Sequence, residues 1–410
     1  MRVLLVNTSE TTGGAAIAAS RLMEALNKNG VKAKMLVRDK GTDRVTVVTL
    51  PNRLIPFLKF VWERAVIWLN NRLRMDKLWL VDIATTGVDI TQLPEFQESD
   101  VIHLHWVSQG FLSLNDIEKI LRSGKRIVWT LHDQWPYTGI CHYSNSCDLY
   151  QTYCHNCPQL CHPKEKDLAW KVFQRKKEIY QHGHFTLVGC SQWIADLACK
   201  SALTEGQRVT SISNAIPSNI FHPMNQEEAR RDFHLPQEKH LILFGSLKVT
   251  DERKGIRYLI EAYKRMQNKP GIVVVGKATK KIATMFATEN GEVEGGFYPL
   301  EYITDEHRMA RLYAAVDAYV TPSLQDNLPN TIAEAMSCGT PCVGFRVGGI
   351  PEMIDHLENG YVANYCDAED LARGIKYVME HNLREAAHQK AAHMFSETHV
   401  AQQYIRLYEE

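Results

Sequence analysis

The sequence predicts an α/β protein of two doubly wound, Rossmann-like domains. Short apolar runs alternate with segments of helical apolar spacing, and the alternation occurs twice. Between the two series lies ISNAIPSNIFHP (212 to 223), whose prolines disfavour continuous secondary structure. At 410 residues and 45% hydrophobic content, the chain can bury two cores.

The first series begins with RVLLVN (2 to 7). Gly13 and Gly14 then open a helical run that Gly30 closes. KAKMLV (32 to 37), VIHLHW (101 to 106), RIVWTLHD (126 to 133) and FTLVGCS (185 to 191) read as further parallel strands. The second series comprises HLILFGS (240 to 246), GIVVVG (271 to 276), DAYVTPS (317 to 323) and CVGF (342 to 345). The expected division is 1–215 for a first domain with a Cys-rich insertion at about 139–163, 216–385 for a second, and a C-terminal helix over 386–410. Open parallel sheets bind ligands beyond the carboxyl ends of their strands, so the two domains are expected to face an interdomain cleft.

Charge and hydropathy narrow the function classes. Lys plus Arg and Asp plus Glu both number 47, so no global field favours nucleic acid. No stretch of about 20 uninterrupted apolar residues is present to span a bilayer. MRVLLVNTSETTGG enters a strand directly, without a signal-peptide core, so a cytoplasmic protein is expected. Residues 53–74 mix Phe57, Phe60, Trp62 and Trp68 with Arg53, Lys59, Arg64, Arg72 and Arg74. Two readings stand: a core-facing helix with charges toward solvent, or peripheral contact with an anionic membrane.

The densest chemistry lies between Val320 and Ile354. The order is strand, loop, helix, strand, and a helix opening after a strand offers unpaired N–H groups and the positive end of its dipole to an anion. Asn330 or Thr331 is the expected cap. Glu334, about one turn in, can meet hydroxyls of a ligand whose phosphates meet the helix start. Polyol plus phosphate suggests a nucleotide.

Asp326, seven intervening residues, Glu334 and the Gly348, Gly349 turn, with EAM-CGTP and VGGIPE, resemble the signature of retaining GT-B glycosyltransferases of family 4, and the GxCxYSxxC insertion at 139–147 resembles that of the colanic-acid and exopolysaccharide glycosyltransferases. The usual first acid is glutamate, so Asp326 is one methylene short. Asn214, Phe221 and Pro223 resemble the family linker, with Ala215 in place of glycine. The resemblance implies a donor site of Gly13, Gly14, Arg253, Lys254, Asn327, Leu328, Pro329, Asn330, Thr331, Glu334, Gly348 and Gly349, and a catalytic set of His132, Asp326 and Glu334. Lys254 matches the family lysine. The preceding arginine is missing, because Ser246 follows Gly245, which leaves Arg253 or Lys248 as substitutes.

The implied activity is transfer of a hexose from a UDP- or GDP-sugar to a glycan or lipid-linked hydroxyl in bacterial surface polysaccharide synthesis, with retention and no cofactor required for catalysis. The resemblance also implies that the final helix crosses back onto the first domain and that the hinge closes. Alternatives are a sugar-nucleotide epimerase on the same fold and a non-catalytic nucleotide-sugar-binding scaffold. A dinucleotide dehydrogenase is disfavoured, since no G-x-G-x-x-G follows the first strand.

Five of the ten cysteines fall between 141 and 161, and Cys141, Cys147, Cys154 and Cys157 have the spacing C-x5-C-x6-C-x2-C. Four thiolates around a structural zinc ion is one reading and an apolar metal-free loop the other.

Overall fold

The computed structural model describes every residue except Arg53, Asp76 and Ala278, and leaves the side chain of Lys280 undescribed. The chain forms two units, one of Met1–Ser213 with Val400–Glu410, the other of Asn214–His399.

The first unit is built on a seven-stranded sheet. Its strands are β1 (Arg2–Ser9), β2 (Lys32–Asp39), β3 (Val47–Thr49), β4 (Val101–Leu104), β5 (Arg126–Leu131), β6 (Thr186–Gly189) and β7 (Arg208–Ser211). They lie in the order β3-β2-β1-β4-β5-β6-β7, and all pairs are parallel. Val3, Leu4, Leu5 and Val6 are all buried, as expected of a strand covered on both faces. The helix Gly14–Lys28 returns the chain to β2 and ends where Gly30, at φ 86°, lets Val31 N–H reach back to Leu26 O at 3.1 Å.

The second unit carries β8 (Leu241–Lys248), β9 (Gly271–Lys277), β10 (Phe297–Leu300), β11 (Ala318–Thr321), β12 (Cys342–Phe345) and β13 (Gly360–Ala363). Their order is β10-β9-β8-β11-β12-β13, again all parallel. The order turns back between β8 and β11, the switch point at which an open α/β sheet presents its ligand crevice.

The tail differs from the expected single helix. Residues 368 to 409 form three helices, Ala368–Glu380, Arg384–Phe395 and Glu397–Glu409. The middle one belongs to the second unit, and only Val400–Glu410 joins the first. The breaks fall at the polar sequences His381-Asn382 and Ser396, where the apolar periodicity lapses.

Residues Leu54–Asn70 form a helix whose polarity is partly inverted, and Arg53 lies outside the described residues. Its charges turn inward. Arg64 bonds Glu63 at 2.8 Å, Asp82 at 2.9 Å, and the carbonyls of Leu78 and Val81. Most apolar side chains of its first half turn outward, with Phe57 58%, Leu58 64% and Trp62 64% exposed, while Ile67 is buried in the core and Val66 and Trp68 pack against it. The helix thus faces the core as expected through Ile67, but Glu63 and Arg64 are buried beside it rather than held in solvent.

Candidate functional site

In the second unit, three segments meet beyond the carboxyl ends of β8, β11 and β12. After β8 the chain makes a short 3-10 turn, Glu252–Lys254, whose start is capped by Asp251 accepting from Arg253 N–H. Gly255 follows at φ 68°, and a Cβ there would lie 1.8 Å from Pro322 O. That contact brings the turn against the residues after β11. Leu324 N–H donates to Arg253 O at 2.8 Å and holds it there.

The cations of the turn converge on the first acid of the motif. Lys254 Nζ donates to Asp326 Oδ2 at 2.6 Å, Arg253 Nη1 stands 3.9 Å from the same oxygen and donates to Gln325 O at 3.0 Å. Ser323 Oγ adds a long hydrogen bond of 3.4 Å. Burial pushes the Asp326 carboxyl up, and the Lys254 and Arg253 charges with the Lys254 and Ser323 hydrogen bonds more than offset it. Its net position is below the usual carboxylate range, so Asp326 is ionised at neutral pH.

The Gly-Gly turn closes over this loop. Gly348 has φ 60°, and a Cβ on it would lie 1.7 Å from Asp326 O. Gly349 N–H donates to Asn327 O at 2.8 Å. The two glycines thus let the 346–349 loop press on the 326–327 backbone, a packing role that the sequence expectation of direct ligand contact did not include.

The helix Asn330–Ser337 starts from Pro329 rather than from a side-chain cap. Asn330 and Thr331 are its first two residues and so do not cap it; Asn330 Oδ1 instead accepts from Asn214 Nδ2 at 2.9 Å. Pro329 O receives Ile332 N–H at 3.0 Å and closes the first turn. An N-terminus without a side-chain acceptor can receive an oxyanion, and the loop that leads to it carries Asp326, the partner of both cations. Glu334, only 7% exposed, accepts from Tyr313 OH at 3.0 Å. Tyr313 lies in the helix Glu306–Ala315, 21 residues before Glu334, and nothing in local spacing links the two.

The first unit keeps its own candidates. Gly13, at φ 92°, precedes the helix Gly14–Lys28 with no side-chain cap, and nothing lies within 4 Å of where its Cβ would stand. His132 follows β5. Its Nε2 meets His105 Nδ1 at 2.9 Å and its Nδ1 meets Cys190 Sγ at 3.6 Å. Burial pushes the imidazole down to about 4, so it is neutral at pH 7. His103 meets Tyr408 OH and Thr130 Oγ1, each at 2.7 Å. Asp133 is committed to Trp106 Nε1, His142 Nδ1 and Trp135 N–H at 2.7, 2.7 and 2.9 Å. The alternation in VIHLHW puts His103 and His105 on one sheet face, but their links to Tyr408 and His132 are tertiary contacts that no local spacing shows.

Residues 238–381 match the family model "Glycosyl transferases group 1". The chain carries a glycosyl transferase group 1 domain. It is 22% identical over 208 residues to N-acetyl-alpha-D-glucosaminyl L-malate synthase of Bacillus anthracis, covering 49% of this chain and 53% of that protein. To the colanic acid biosynthesis glycosyl transferase WcaC of Escherichia coli K12 it is 26% identical over 274 residues, 62% of each. The chain thus spans between half and two thirds of the length of these relatives. The crystal structure of Anabaena HepE in complex with UDP superposes with a TM-score of 0.65 at 16% identity, covering 100% of both chains. Two parallel-sheet units with these neighbours make the fold GT-B.

Proposed function

We propose that the chain is a retaining glycosyltransferase that moves a hexose from a UDP- or GDP-sugar to a hydroxyl of a glycan or lipid-linked acceptor in surface polysaccharide synthesis. The observation that carries this reading is the gathering of Lys254 and Arg253 on Asp326, in the loop that leads to the uncapped start of the helix Asn330–Ser337. A diphosphate brings two or more negative charges to such a place. The helix start supplies N–H donors and about half a positive charge, and the two cations supply the rest.

In the proposed step, the bond from the anomeric carbon to the diphosphate oxygen breaks, the acceptor oxygen bonds that carbon from the same face, and the acceptor proton passes to the departing phosphate. Most of the barrier lies in charge growing on the leaving group, so fixed cations and N–H dipoles there are the main catalytic device. Glu334, held by Tyr313, receives a donor hydroxyl. Asp326 holds Lys254 in place until the diphosphate competes for it. HepE, crystallised with UDP, and the WcaC relative support a nucleotide donor and a polysaccharide product respectively.

We further assign peripheral membrane contact to the helix Leu54–Asn70. Leu54, Ile55, Phe57, Leu58, Val61 and Trp62 are all exposed, as are Arg72 and Arg74 beyond it. The single carboxylate of residues 54–75, Glu63, is buried. An apolar face with cations at its end and no exposed acid complements an anionic bilayer. Co-sedimentation with phosphatidylglycerol vesicles, reduced at least tenfold in Phe57→Glu/Trp62→Glu, is expected; equal binding by that variant would refute the assignment.

The activity is tested by incubating the protein with UDP- and GDP-sugars, with and without lipid-linked glycan extract, and following products by mass spectrometry. Acceptor-dependent nucleotide release that Glu334→Ala abolishes is expected. An altered sugar without acceptor would replace transfer by epimerisation, and no consumption of any donor would reject catalysis.

A further inference from the structure

The insertion after β5 folds around its own sulfurs. Cys141, Cys147, Cys154 and Cys157 line one cavity, with Ile140 and Tyr150 among its apolar walls. Each of the four lies within electrostatic range of the other three. All four are free thiols, so no disulfide accounts for their convergence. Between Cys154 and Cys157, Asn156 takes φ 43°, a left-handed turn that suits a two-residue chelate loop. Gly139 N–H donates to Cys154 Sγ at 3.3 Å.

A second observation is the charge beside them. Lys176, in the helix Leu168–Tyr180, is fully buried. Its ammonium donates to the carbonyls of Trp135 at 2.6 Å and Thr138 at 3.0 Å and lies 3.4 Å from the Trp135 ring centroid. Among the described residues it has no ion pair with a carboxylate. Asp82 and Asp133 act on it at a distance, but each is already bonded to another partner, Arg64 and His142. The remaining groups that act on it are Cys154 and Cys141. Burial pushes the Lys176 amine down to about 7, so an anion beside it would hold its charge. Four thiolates around a divalent cation carry a net charge of two minus and supply that anion.

We propose that Cys141, Cys147, Cys154 and Cys157 form a structural tetrathiolate zinc site, with Lys176 as its buried counter-charge. The fifth cysteine of the insertion, Cys161, is not on the cavity wall, His142 has its Nδ1 on Asp133, and His155, which is on the wall, has its Nδ1 on Asn156 Nδ2 at 2.9 Å. The ligand set is therefore closed by sulfur alone and leaves no position for substrate, so the site fastens the insertion rather than catalysing. Among the described residues no three His, Cys, Asp or Glu groups already stand at ligand distance. Binding would therefore draw the four sulfurs together around the ion. Soft thiolate ligands select zinc over the oxygen-loving magnesium and calcium. This inference stands apart from the transferase reading and survives its failure.

The test is metal analysis of the full-length protein purified without added metal, followed by titration of the chelator-stripped protein with Co2+. One zinc per chain is expected, with Co2+ giving tetrahedral thiolate absorption bands that saturate at one equivalent. Cys161→Ser should keep the metal and Cys154→Ser/Cys157→Ser should lose it. If the double variant fails to fold, the Co2+ titration of the wild-type chain decides alone. Absence of metal together with absence of thiolate bands overturns the proposal. So does iron in place of zinc, metal retained in the double variant, or thiols found paired as disulfides.

Discussion

Replacing Lys254 by Met should destabilise the second unit through Asp326 more than through Lys254 itself. The pair is 23% and 13% exposed and 2.6 Å apart, a short charge-assisted hydrogen bond shielded from most solvent screening. Removing one partner of such a bond costs about 1.5–3 kcal/mol. The two removals are not equivalent. Lys254→Met leaves a carboxylate fixed in the loop under Gly348, with only Arg253 at 3.9 Å, whereas Asp326→Asn leaves a flexible ammonium that can swing into water. Lys254→Met should therefore be the more destabilising, and Lys254→Met/Asp326→Asn should recover part of the loss.

The sign of the pH dependence follows from the same pair. Asp326 is held below its ordinary value, so its contribution is present above the unfolded value of about 3.9 and is lost as pH falls through the folded value. The gap between wild type and Lys254→Met should be widest at pH 7 and close below about pH 4. Urea unfolding of wild type, both single variants and the double at pH 7 and in acid measures this. Additivity of the two substitutions within about 0.5 kcal/mol, with no acid convergence, would refute the coupling.

Gly348→Ala places a methyl 1.7 Å from Asp326 O and should lower thermal stability and donor affinity together, while Gly13→Ala, with free space around its Cβ, should show only the backbone cost of φ 92° with ψ 163°, a region nearly confined to glycine, about 1–3 kcal/mol. Thermal melts and UDP titration separate the two. Tyr313→Phe removes the donor to buried Glu334 and should cost about 1–3 kcal/mol in stability, with a rise in donor KM at constant protein fold by circular dichroism. Burial pushes His103 down to about 3, so the neutral ring stabilises the fold above the unfolded value of about 6.5, and stability falls as pH drops below it. His103→Asn should flatten that decline between pH 6.5 and 4 in chemical denaturation.

The long central strands were legible because four to six consecutive apolar residues, as in β1, β8 and β9, are what burial on both faces requires. The edge strands β3, β7, β10 and β13 were not read. They are three or four residues long, and Arg208 in β7 and Pro299 in β10 break any apolar run. In the site, the order from Asp326 to Gly349 announced a strand, loop and helix with an anion-binding end. Its pairings did not show: Tyr313 reaches Glu334, and Gly348 presses on Asp326, through tertiary contacts with no local period. The helix Leu54–Asn70 shows a further limit. Its composition announced amphipathicity, but the burial of Arg64 depended on Asp82, which lies outside the segment and draws it inward.

The central claim is that the segments around Lys254, the start of Asn330–Ser337 and Gly348 together hold a nucleoside diphosphate. Amide hydrogen exchange followed with and without saturating UDP or GDP tests it most directly. One of the two nucleotides should slow exchange at 253–256, 326–332 and 348–350 in the wild type and fail to do so in Lys254→Met. Protection confined to other segments, or none with either nucleotide, would contradict it.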